Sequence, residues 1–276
     1  MFITTSGFTS LPTSETPEQL FDYIRNIKSQ EMRSNSQWTI QTLKEKYAAG
    51  KVWIKCQRGL AIILLFDNEG VIRLSYYCED PHSLLQMKGL IPTLQAPMVC
   101  DLLGKEPKVT MQAEELGIVF QPYAQYKRMI CTELISSDSI DISDVEPAHL
   151  GDEVEILEML HGEFDVLTAR MPNLDLIRQR IENEEVFVVR KDNMIAGFIN
   201  FESKGLKAAL LDYVMVRPEY RMQHIAKKIW NFKLKTHNES KYYYLWVNMA
   251  RQSAIRFHER NGFRFDGMVD NIFKVN

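Results

Sequence analysis

The sequence predicts an α+β or α/β fold with two similar domains, each a mixed, mostly antiparallel sheet flanked by helices. The chain has 276 residues, which is long for one domain and natural for two. Both halves also repeat one order of elements, in which helix-like segments precede short apolar runs bounded by turn residues. An acidic, serine-rich stretch over residues 132–147 separates the halves. We therefore expect domains at residues 1–135 and 141–276.

In the first half, apolar spacing predicts helices over residues 17–31 and 39–49. Thr16 followed by Pro17 is typical of a helix start, because a threonine side chain caps the first amides and proline has no amide to cap. Strands are then predicted over residues 52–56, 60–66 and 71–78. The strand at residues 71–78 is followed by an acidic segment without a basic cluster, so we expect no coenzyme site in this half.

The second half repeats this order. Helices are predicted over residues 152–160 and 174–183, and strands over residues 186–190, 195–201 and 210–216. A helix over 223–235, a strand over 242–247, a helix over 253–261 and a closing hairpin to residue 275 complete it. Similar segments at residues 114–118 and 259–263 favour an internal duplication, although any helix that ends at a glycine before a strand gives the same pattern.

The composition is that of a globular protein and excludes two broad classes. Lysine and arginine total 33 against 36 aspartate and glutamate, a formal net charge of −3, so duplex nucleic acid is not expected as the main partner. The longest apolar run, Leu60–Phe66, has seven residues, whereas a membrane-spanning helix needs about 20. No secretory signal is recognisable, so the expected location is the cytoplasm. Four widely spaced cysteines match no zinc pattern, and we expect no metal site.

Residues 210–228 combine an apolar strand, a short loop and the start of a helix. The strand is expected to stop at Arg217-Pro218, because proline cannot donate to a sheet and restricts the residue before it. Free amides and the positive end of the helix dipole make such a helix start suitable for phosphate. Residues 217–235 contain six basic residues and one acidic residue. A solvated basic helix face would give the same count.

The stretch Arg221-Met222-Gln223-His224-Ile225-Ala226 follows a strand that ends in Val-x-Pro, and residues 254–263 read Ala-Ile-Arg-Phe-His-Glu-Arg-Asn-Gly-Phe. The first stretch resembles the acetyl-CoA-binding motif of the Gcn5-related N-acetyltransferase (GNAT) superfamily, Arg/Gln-x-x-Gly-x-Gly/Ala. The second resembles that family's Ala-Ile-x-Phe-Tyr-Glu-x-x-Gly-Phe motif. The resemblance covers residues 141–276, and the first half looks like a degenerate GNAT copy in a tandem arrangement.

Three positions depart from the family pattern. His224 stands where the family most often has glycine, Arg251 where it often has asparagine, and His258 where it often has tyrosine. A side chain at residue 224 is tolerated if it points away from the phosphate, so that only its amide is used. Each departure is compatible with activity. Together they leave open the alternative that the enzyme is weakened or altered.

The resemblance implies an acyl-CoA-dependent N-acyltransferase, which moves the acetyl group of acetyl-CoA to a primary amine of a small molecule or peptide. The alternative is a non-catalytic acyl-CoA-responsive or interaction module, which the substitutions at His224 and Arg251 motivate. The expected partners are acetyl-CoA, as cosubstrate, and an unidentified amine acceptor. A homodimer is left open.

The resemblance also implies which residues contact the coenzyme. The Val214 amide would donate to the thioester oxygen, and the backbone from Met215 to Val216 would pair with the pantetheine arm. The other expected contacts lie in the loop and the first helical turn: Arg221, Met222, Gln223, His224, Ile225, Ala226 and Lys227. Arg251 is expected either to reach a coenzyme phosphate or acidic substrate group, or to lie at the surface.

Asp212 and His258 are the expected catalytic side chains. Simple alternation places Asp212 on the strand face of Val214 and Val216, and burial would raise its pKa towards that of a useful base. The alternatives are a structural aspartate bonded to backbone amides, or a base from the first domain acting through water. His258 is the expected acid for the leaving thiolate, since an ordinary histidine is about one quarter protonated at pH 7. A half-exposed helix histidine is the other interpretation.

Overall fold

The computed structural model describes residues 13–27, 32–36, 38–67, 70–133, 139–204, 208–236 and 240–275. The chain divides into two compact units, the first formed by residues 1–125 and 268–276 and the second by residues 126–267. None of the helices within these described ranges is both long enough and apolar enough to cross a membrane.

Helices and strands alternate along the chain in two similar series. The described helices are α1 (Pro17–Asn26), α2 (Ile40–Ala48), α3 (Pro81–Leu85), α4 (Met87–Leu90), α5 (Glu106–Gly117), α6 (Glu153–Glu163), α7 (Leu174–Glu182), α8 (Ile225–Thr236) and α9 (Gln252–Arg260). The described strands are β1 (Arg33–Ser34), β2 (Val52–Gln57), β3 (Leu60–Phe66), β4 (Ile72–Cys78), β5 (Met98–Lys105), β6 (Gln121–Cys131), β7 (Val145–Pro147), β8 (Val186–Lys191), β9 (Met194–Lys204), β10 (Ala208–Val216), β11 (Tyr242–Asn248) and β12 (Arg264–Lys274). A 3₁₀ turn, Pro218–Tyr220, precedes α8.

The first unit has a sheet with the strand order β2-β3-β4-β5-β12. Strands β4 and β5 are parallel, and the other neighbours are antiparallel. Both faces of this sheet are covered, because Ile62 and Leu64 of β3 lie in one apolar core whereas Ala61 and Ile63 lie in another. This double burial explains why β3 is an unbroken apolar run.

The second unit has the strand order β6-β11-β10-β9-β8-β7. Here β10 and β11 are parallel, and the other pairings recorded are antiparallel. Helix α8 covers one face through Ile229 and Trp230, and helices α6 and α7 cover the other through Ile156 and Ile177. The predicted fold class, mixed and mostly antiparallel sheets flanked by helices, is confirmed.

The two sheets repeat one topology, but each is closed by a strand from the other half of the sequence. Residues 268–274 of β12 pair with β5 in the first unit, and residues 126–131 of β6 pair with β11 in the second. The compact units therefore differ from the predicted domain ranges, 1–135 and 141–276, because hydrogen-bond partners rather than sequence order decide which unit a strand joins. Most of the predicted boundary, residues 134–138, lies outside the described residues.

Several predicted elements have different bounds. The cap at Thr16 is confirmed, since its hydroxyl accepts from the Gln19 amide. The predicted closing hairpin is wrong, because β12 continues as one strand from Arg264 to Lys274. Helix α8 begins at Ile225 and not at residue 223, because the left-handed φ of +59° at His224 cannot belong to a right-handed helix. The first-half elements α5, β5 and β6 were not predicted.

Candidate functional site

The parallel strands β10 and β11 diverge at the centre of the second unit. They pair for three residues, of which Leu210 with Tyr244 is the last. Strand β10 nevertheless continues its pairing with β9 as far as Val216. Within the described residues, the β11-facing edge of β10 therefore has no strand partner beyond Leu210. Such an edge offers backbone donors and acceptors to an extended ligand.

A bulge at Asp212 interrupts the alternation of β10. Leu211 pairs with Phe201 of β9 and Tyr213 pairs with Asn200, the adjacent residue, so Asp212 is the extra residue. A bulge of this kind lets the residues that follow change sides.

The apolar cores show this change of side directly. Leu211 lies in the core beneath α8, whereas Tyr213 and Met215 lie in the core beneath α6 and α7. Beyond the bulge, Val214 and Val216 pack against the α8 core. The prediction that Asp212 shares their face is wrong, because its carboxylate is bonded to a side chain of α7.

Asp212 is held by a buried arginine. Its Oδ2 accepts from Nη1 of Arg180 at 2.7 Å, and Nη2 of Arg180 donates to Glu202 at 3.3 Å. Arg180 is only 6% exposed, whereas the Asp212 side chain is 24% exposed. Oδ1 of Asp212 accepts no hydrogen bond from the described residues. Burial raises the pKa of Asp212 above its ordinary value, and Arg180 opposes this rise.

The same sheet face continues over β11 and β6 as a half-exposed aromatic surface. Tyr243 and Leu245 point into the α8 core, so Tyr244 and Trp246 point to the opposite side. The Arg128 guanidinium of β6 lies 5.8 Å and 5.9 Å from the Tyr244 and Trp246 ring centroids. The predicted sites did not include this surface.

The loop between β10 and α8 has the backbone of a glycine-rich turn without containing glycine. Met222 and His224 adopt left-handed φ values of +65° and +59°. Both side chains are exposed, Met222 at 95%. His224 therefore keeps the backbone conformation that glycine favours and turns its imidazole to solvent, at a cost in backbone strain.

The first turn of α8 presents free backbone amides. The first helical bond runs from the Lys228 amide to the His224 carbonyl. The amides of Ile225, Ala226 and Lys227 donate to no acceptor in the described part of the chain, and no side chain is recorded as capping the helix. These amides and the helix dipole fit an anionic group such as a pyrophosphate.

Arg221 and Arg251 are joined by one carboxylate. Glu163, the last residue of α6, accepts from Arg221 at 3.1 Å and from Arg251 at 2.8 Å. Arg221 also donates to the Val216 carbonyl at 3.2 Å. Arg251 is thus an exposed residue whose guanidinium is paired. The bridging role of Glu163 was not predicted from the sequence.

His258 is buried in α9 and is not the half-exposed residue of the second interpretation. It is 6% exposed and lies between the rings of Phe257 and Phe263. Its Nδ1 has no hydrogen-bond partner in the described residues. Burial lowers the pKa of His258 to about 4. The expectation that a quarter of this residue is protonated at pH 7 is therefore wrong.

In the first unit, the gap that matches the β10–β11 opening is filled. Strands β4 and β5 pair for two residues and then diverge, and β1 pairs with the far end of β4. Asn35 occupies the remaining space, where its side chain donates to the carbonyls of Leu74 and Asp101 and accepts from the Tyr76 amide. This hydrogen-bonded plug at Asn35 was not predicted from the sequence.

The helix start in the first unit is also unlike that of α8. Asp80 caps α3 by accepting from the Ser83 amide at 3.0 Å, and α3 has only five residues. An anion placed there would meet the Asp80 carboxylate. The filled gap and this capped helix start are unfavourable for an anionic coenzyme, and the absence of a coenzyme site in the first unit stays a prediction.

Comparison with known proteins finds a family match within the second unit. Residues 154–263 match the model of the Acetyltransferase (GNAT) family. A GCN5-related N-acetyltransferase from Sphaerobacter thermophilus is 12% identical, with 87% of each chain covered and a TM-score of 0.53. A GNAT-family acetyltransferase from Colwellia psychrerythraea is 12% identical, with 89% of this chain and 100% of that chain covered and a TM-score of 0.52. No curated protein matches the chain.

A solved structure with two domains extends the likeness to both units. The tandem GNAT protein from the clavulanic acid biosynthesis pathway is 12% identical, with 96% of this chain and 98% of that chain covered and a TM-score of 0.52. Identities this low show the fold alone. The resemblance to the GNAT superfamily, in a tandem arrangement, is confirmed.

Proposed function

Because residues 154–263 form a domain of the GNAT acetyltransferase family, we propose that the chain transfers the acetyl group of acetyl-CoA to a primary amine of a small molecule or peptide. The observation that carries this proposal is the start of α8, where free amides follow a loop with two left-handed residues. The reaction is proposed to take place in the second unit alone, and the expected location stays the cytoplasm.

The pyrophosphate of the coenzyme would be held by the first turn of α8. The amides of Ile225, Ala226 and Lys227 point out of the helix end, and the helix dipole adds a partial positive charge there. Arg221 lies in the same loop and would add a full charge, in exchange for its present partner Glu163. His224 contributes its backbone, since its side chain is exposed.

The thioester would lie in the gap between β10 and β11. Acetyl-CoA supplies an activated acyl carbon, and the chain has to orient it and stabilise the charge that develops on its oxygen. We propose that the Val214 amide donates to this oxygen and that the backbone from Met215 to Val216 pairs with the pantetheine arm. The missing strand pairing beyond Leu210 supports this assignment.

The acceptor amine would approach from the opposite face, which carries Asp212. An alkylammonium with a pKa near ~10.4 has to lose a proton before it can attack. Oδ1 of Asp212 has no hydrogen-bond partner in the described residues, while Arg180 fixes Oδ2. We therefore propose Asp212 as the base and Arg180 as the residue that positions it. The amine nitrogen then bonds to the acyl carbon as the carbon–sulfur bond breaks.

His258 supplies no proton to the thiolate in this proposal. A group with a pKa of about 4 is almost fully neutral at pH 7. Solvent at the open edge of β10 is the proposed proton source instead. Turnover at alkaline pH should consequently show no decline that depends on His258.

Coenzyme binding is tested with Ala226→Glu, which places a carboxylate in the first turn of α8. In wild type, acetyl-CoA at 100-fold over its Kd should stabilise the folded state by ~2.7 kcal/mol in a thermal melt. The variant should lose this stabilisation, because the new charge repels the pyrophosphate. Ala226→Ser, which is small and neutral, is the matched control and should keep it.

The transfer itself is tested by measuring free thiol released from acetyl-CoA with a panel of primary amines. Release that depends on the amine is expected. Binding of acetyl-CoA without amine-dependent thiol release would favour the alternative, a non-catalytic acyl-CoA-responsive module. If Ala226→Glu keeps full coenzyme-dependent stabilisation, the proposed coenzyme site is wrong.

A further inference from the structure

The half-exposed aromatic surface of the second unit, formed by Tyr244 and Trp246 of β11, lies beside Asp212. Leu210 pairs with Tyr244 in the last step of the β10–β11 ladder, and Asp212 follows Leu210 by two residues just as Trp246 follows Tyr244. The side chains of Asp212 and Trp246 both lie on the sheet face turned away from α8. They therefore stand on opposite sides of the gap, on the face from which the acceptor amine is proposed to approach.

Arg128 of β6 orders the two rings of this surface. Its guanidinium lies 5.8 Å and 5.9 Å from the Tyr244 and Trp246 ring centroids. Its Nε and Nη2 both donate to Oδ2 of Asp266, at 2.9 Å and 2.5 Å, so the guanidinium is itself fixed. Cation–π contacts of this kind hold aromatic rings in one orientation. A ligand ring that stacks here therefore costs little further side-chain entropy.

The loop between α6 and α7 bounds the aromatic surface at the Trp246 end. The hydroxyls of Tyr126 and Thr168 share a hydrogen bond of 2.9 Å, and the Tyr213 hydroxyl donates to the Arg170 carbonyl at 2.8 Å. Tyr126 belongs to β6 and Tyr213 to β10, so the loop is fixed to the strands on both sides of β11. The loop therefore limits how far a substrate can extend along the strands in that direction.

The charged side chains next to the aromatic surface are paired with one another. The recorded ion pairs are Arg180 with Asp212, Arg180 with Glu202, and Arg128 with Asp266. Oδ1 of Asp212 stays available, because it accepts no hydrogen bond from the described residues. This oxygen suits a single ammonium group. A second charge on the substrate would have to displace one of these ion pairs, whereas an uncharged ring leaves them intact.

We propose that the acceptor is a primary monoamine joined by a short carbon chain to an uncharged aromatic ring, which stacks on Tyr244 and Trp246 while the nitrogen faces Asp212. This inference rests on the proposed function, because it takes Asp212 as the base that removes the ammonium proton. Neighbouring strands lie about 4.8 Å apart, so the nitrogen and the ring have to be separated by a chain of about two carbon atoms. Stacking buries apolar area and aligns the ring quadrupoles.

The test measures kcat/KM by thiol release from acetyl-CoA on the full chain, with 2-phenylethylamine and butylamine, each expressed per unprotonated amine. Wild type should favour 2-phenylethylamine on the order of 10 to 100-fold, as burial of a phenyl ring predicts. Trp246→Ala should reduce this ratio several-fold, mainly through KM, and Trp246→Phe should keep most of it. Both variants should bind acetyl-CoA like wild type, which shows that the second unit is folded. The ring-charged analogue 4-(2-aminoethyl)benzoate should be a poorer substrate than 2-phenylethylamine.

Tyr242→Ala is the matched control, because Tyr242 lies on the same face of β11 and is 39% exposed, but pairs with Ala208, at the end of β10 away from Asp212. It should leave the ratio unchanged. The inference is overturned, and the proposed transfer stands, if wild type uses both amines equally well, if Trp246→Ala slows both equally, or if the benzoate is preferred. If no amine releases thiol, the proposed transfer fails first, and this inference falls with it.

Discussion

The two units share a sheet topology and differ in what occupies the gap between their parallel strands. In the first unit, β1 and Asn35 fill the space between β4 and β5 with hydrogen bonds from the chain itself. In the second, the equivalent edge of β10 has no strand partner beyond Leu210 within the described residues. The sheet topology shared by the two units is therefore not sufficient to form a coenzyme site. Whether a short segment such as β1 with Asn35 fills the gap decides whether the backbone edge of the strand is available to a ligand.

The largest effect is expected from Asp212→Asn. Asp212 lies two residues beyond the last parallel pair, and the residue at that place in the first unit is Ser75, which accepts from the Trp38 indole at 3.2 Å. If Asp212 is the base, as proposed, its loss should reduce turnover on the order of 10² to 10⁴-fold. The affinity for acetyl-CoA should not change, because Asp212 faces away from Val214. Thiol release and calorimetry measure the two quantities.

Glu202→Gln is the control for this comparison, because Glu202 is the other carboxylate bonded to Arg180. It should change turnover only slightly. Turnover like that of wild type in Asp212→Asn would remove Asp212 from the mechanism and make it a structural partner of Arg180. In that case Asp212 and its first-unit counterpart Ser75 would both have only a structural role.

The next effect concerns stability in acid and is tested with His258→Gln. The segments at 114–118 and 259–263 correspond, so the first-unit counterpart of His258 is Ala113, which does not titrate. The pKa of His258 is about 4 when folded and about 6.5 when unfolded. Between these values the unfolded chain binds more protons, so folding stability falls as the pH falls through this window. The loss amounts to about 3 kcal/mol by pH 4.

Urea unfolding at pH 7, 5.5 and 4 measures this dependence. Wild type should lose more stability than His258→Gln over the range, and the variant should show a flatter profile. Equal slopes for the two proteins would mean that His258 is not buried in its neutral form. The quantity compared is the slope of unfolding free energy against pH. A loss of stability that is the same at every pH therefore does not affect the result.

Asn35→Ala tests the plug of the first unit. Its side chain bonds two carbonyls and one amide, and the substitution removes this partner from all three groups, two of which belong to the buried residues Leu74 and Tyr76. We expect a loss of about 2 kcal/mol in the free energy of unfolding, measured in urea. The Kd for acetyl-CoA should stay that of wild type, because the proposed coenzyme site belongs to the second unit. A weaker Kd in this variant would contradict that assignment.

The smallest effect is expected from His224→Gly. Glycine adopts a left-handed φ without a Cβ penalty, so the variant should gain about 0.5–1 kcal/mol in stability, less any entropy that the unfolded glycine adds. Acetyl-CoA binding should be kept or slightly tighter. Gln223→Gly, at a position without a positive φ, is the control and should give no gain. A loss of coenzyme affinity in His224→Gly would show that the imidazole itself contacts the ligand.

Features that depend on a few neighbouring residues could be predicted from the sequence. The cap at Thr16 and the strand–loop–helix order after β10 depend on local propensity. The GNAT motifs at residues 221–226 and 254–263 are local too. Most of the element order in the second half followed from the same kind of signal, whereas α5, β5 and β6 of the first half were not predicted.

Features set by distant partners could not be predicted. The bulge at Asp212 depends on how β10 is aligned with β9, and one extra residue leaves no mark in composition. The burial of His258 depends on the rings around it. Arg180 gave a weak signal, since it stands beside Ile177 and Ile181 on the apolar side of α7, where a charge needs a partner.

The pairing of β12 with β5 affects how the chain folds while it is being synthesised. Residues 268–274 complete the sheet of the first unit, yet they are translated after the whole of the second unit. Until they emerge from the ribosome, β5 has an open edge, and an open edge can pair with other chains. The sheet of the first unit therefore stays incomplete while roughly 140 further residues are synthesised. At 5–20 residues per second this takes about 7 to 30 seconds. Chaperone binding during synthesis should accordingly concentrate on the half of the protein that is translated first.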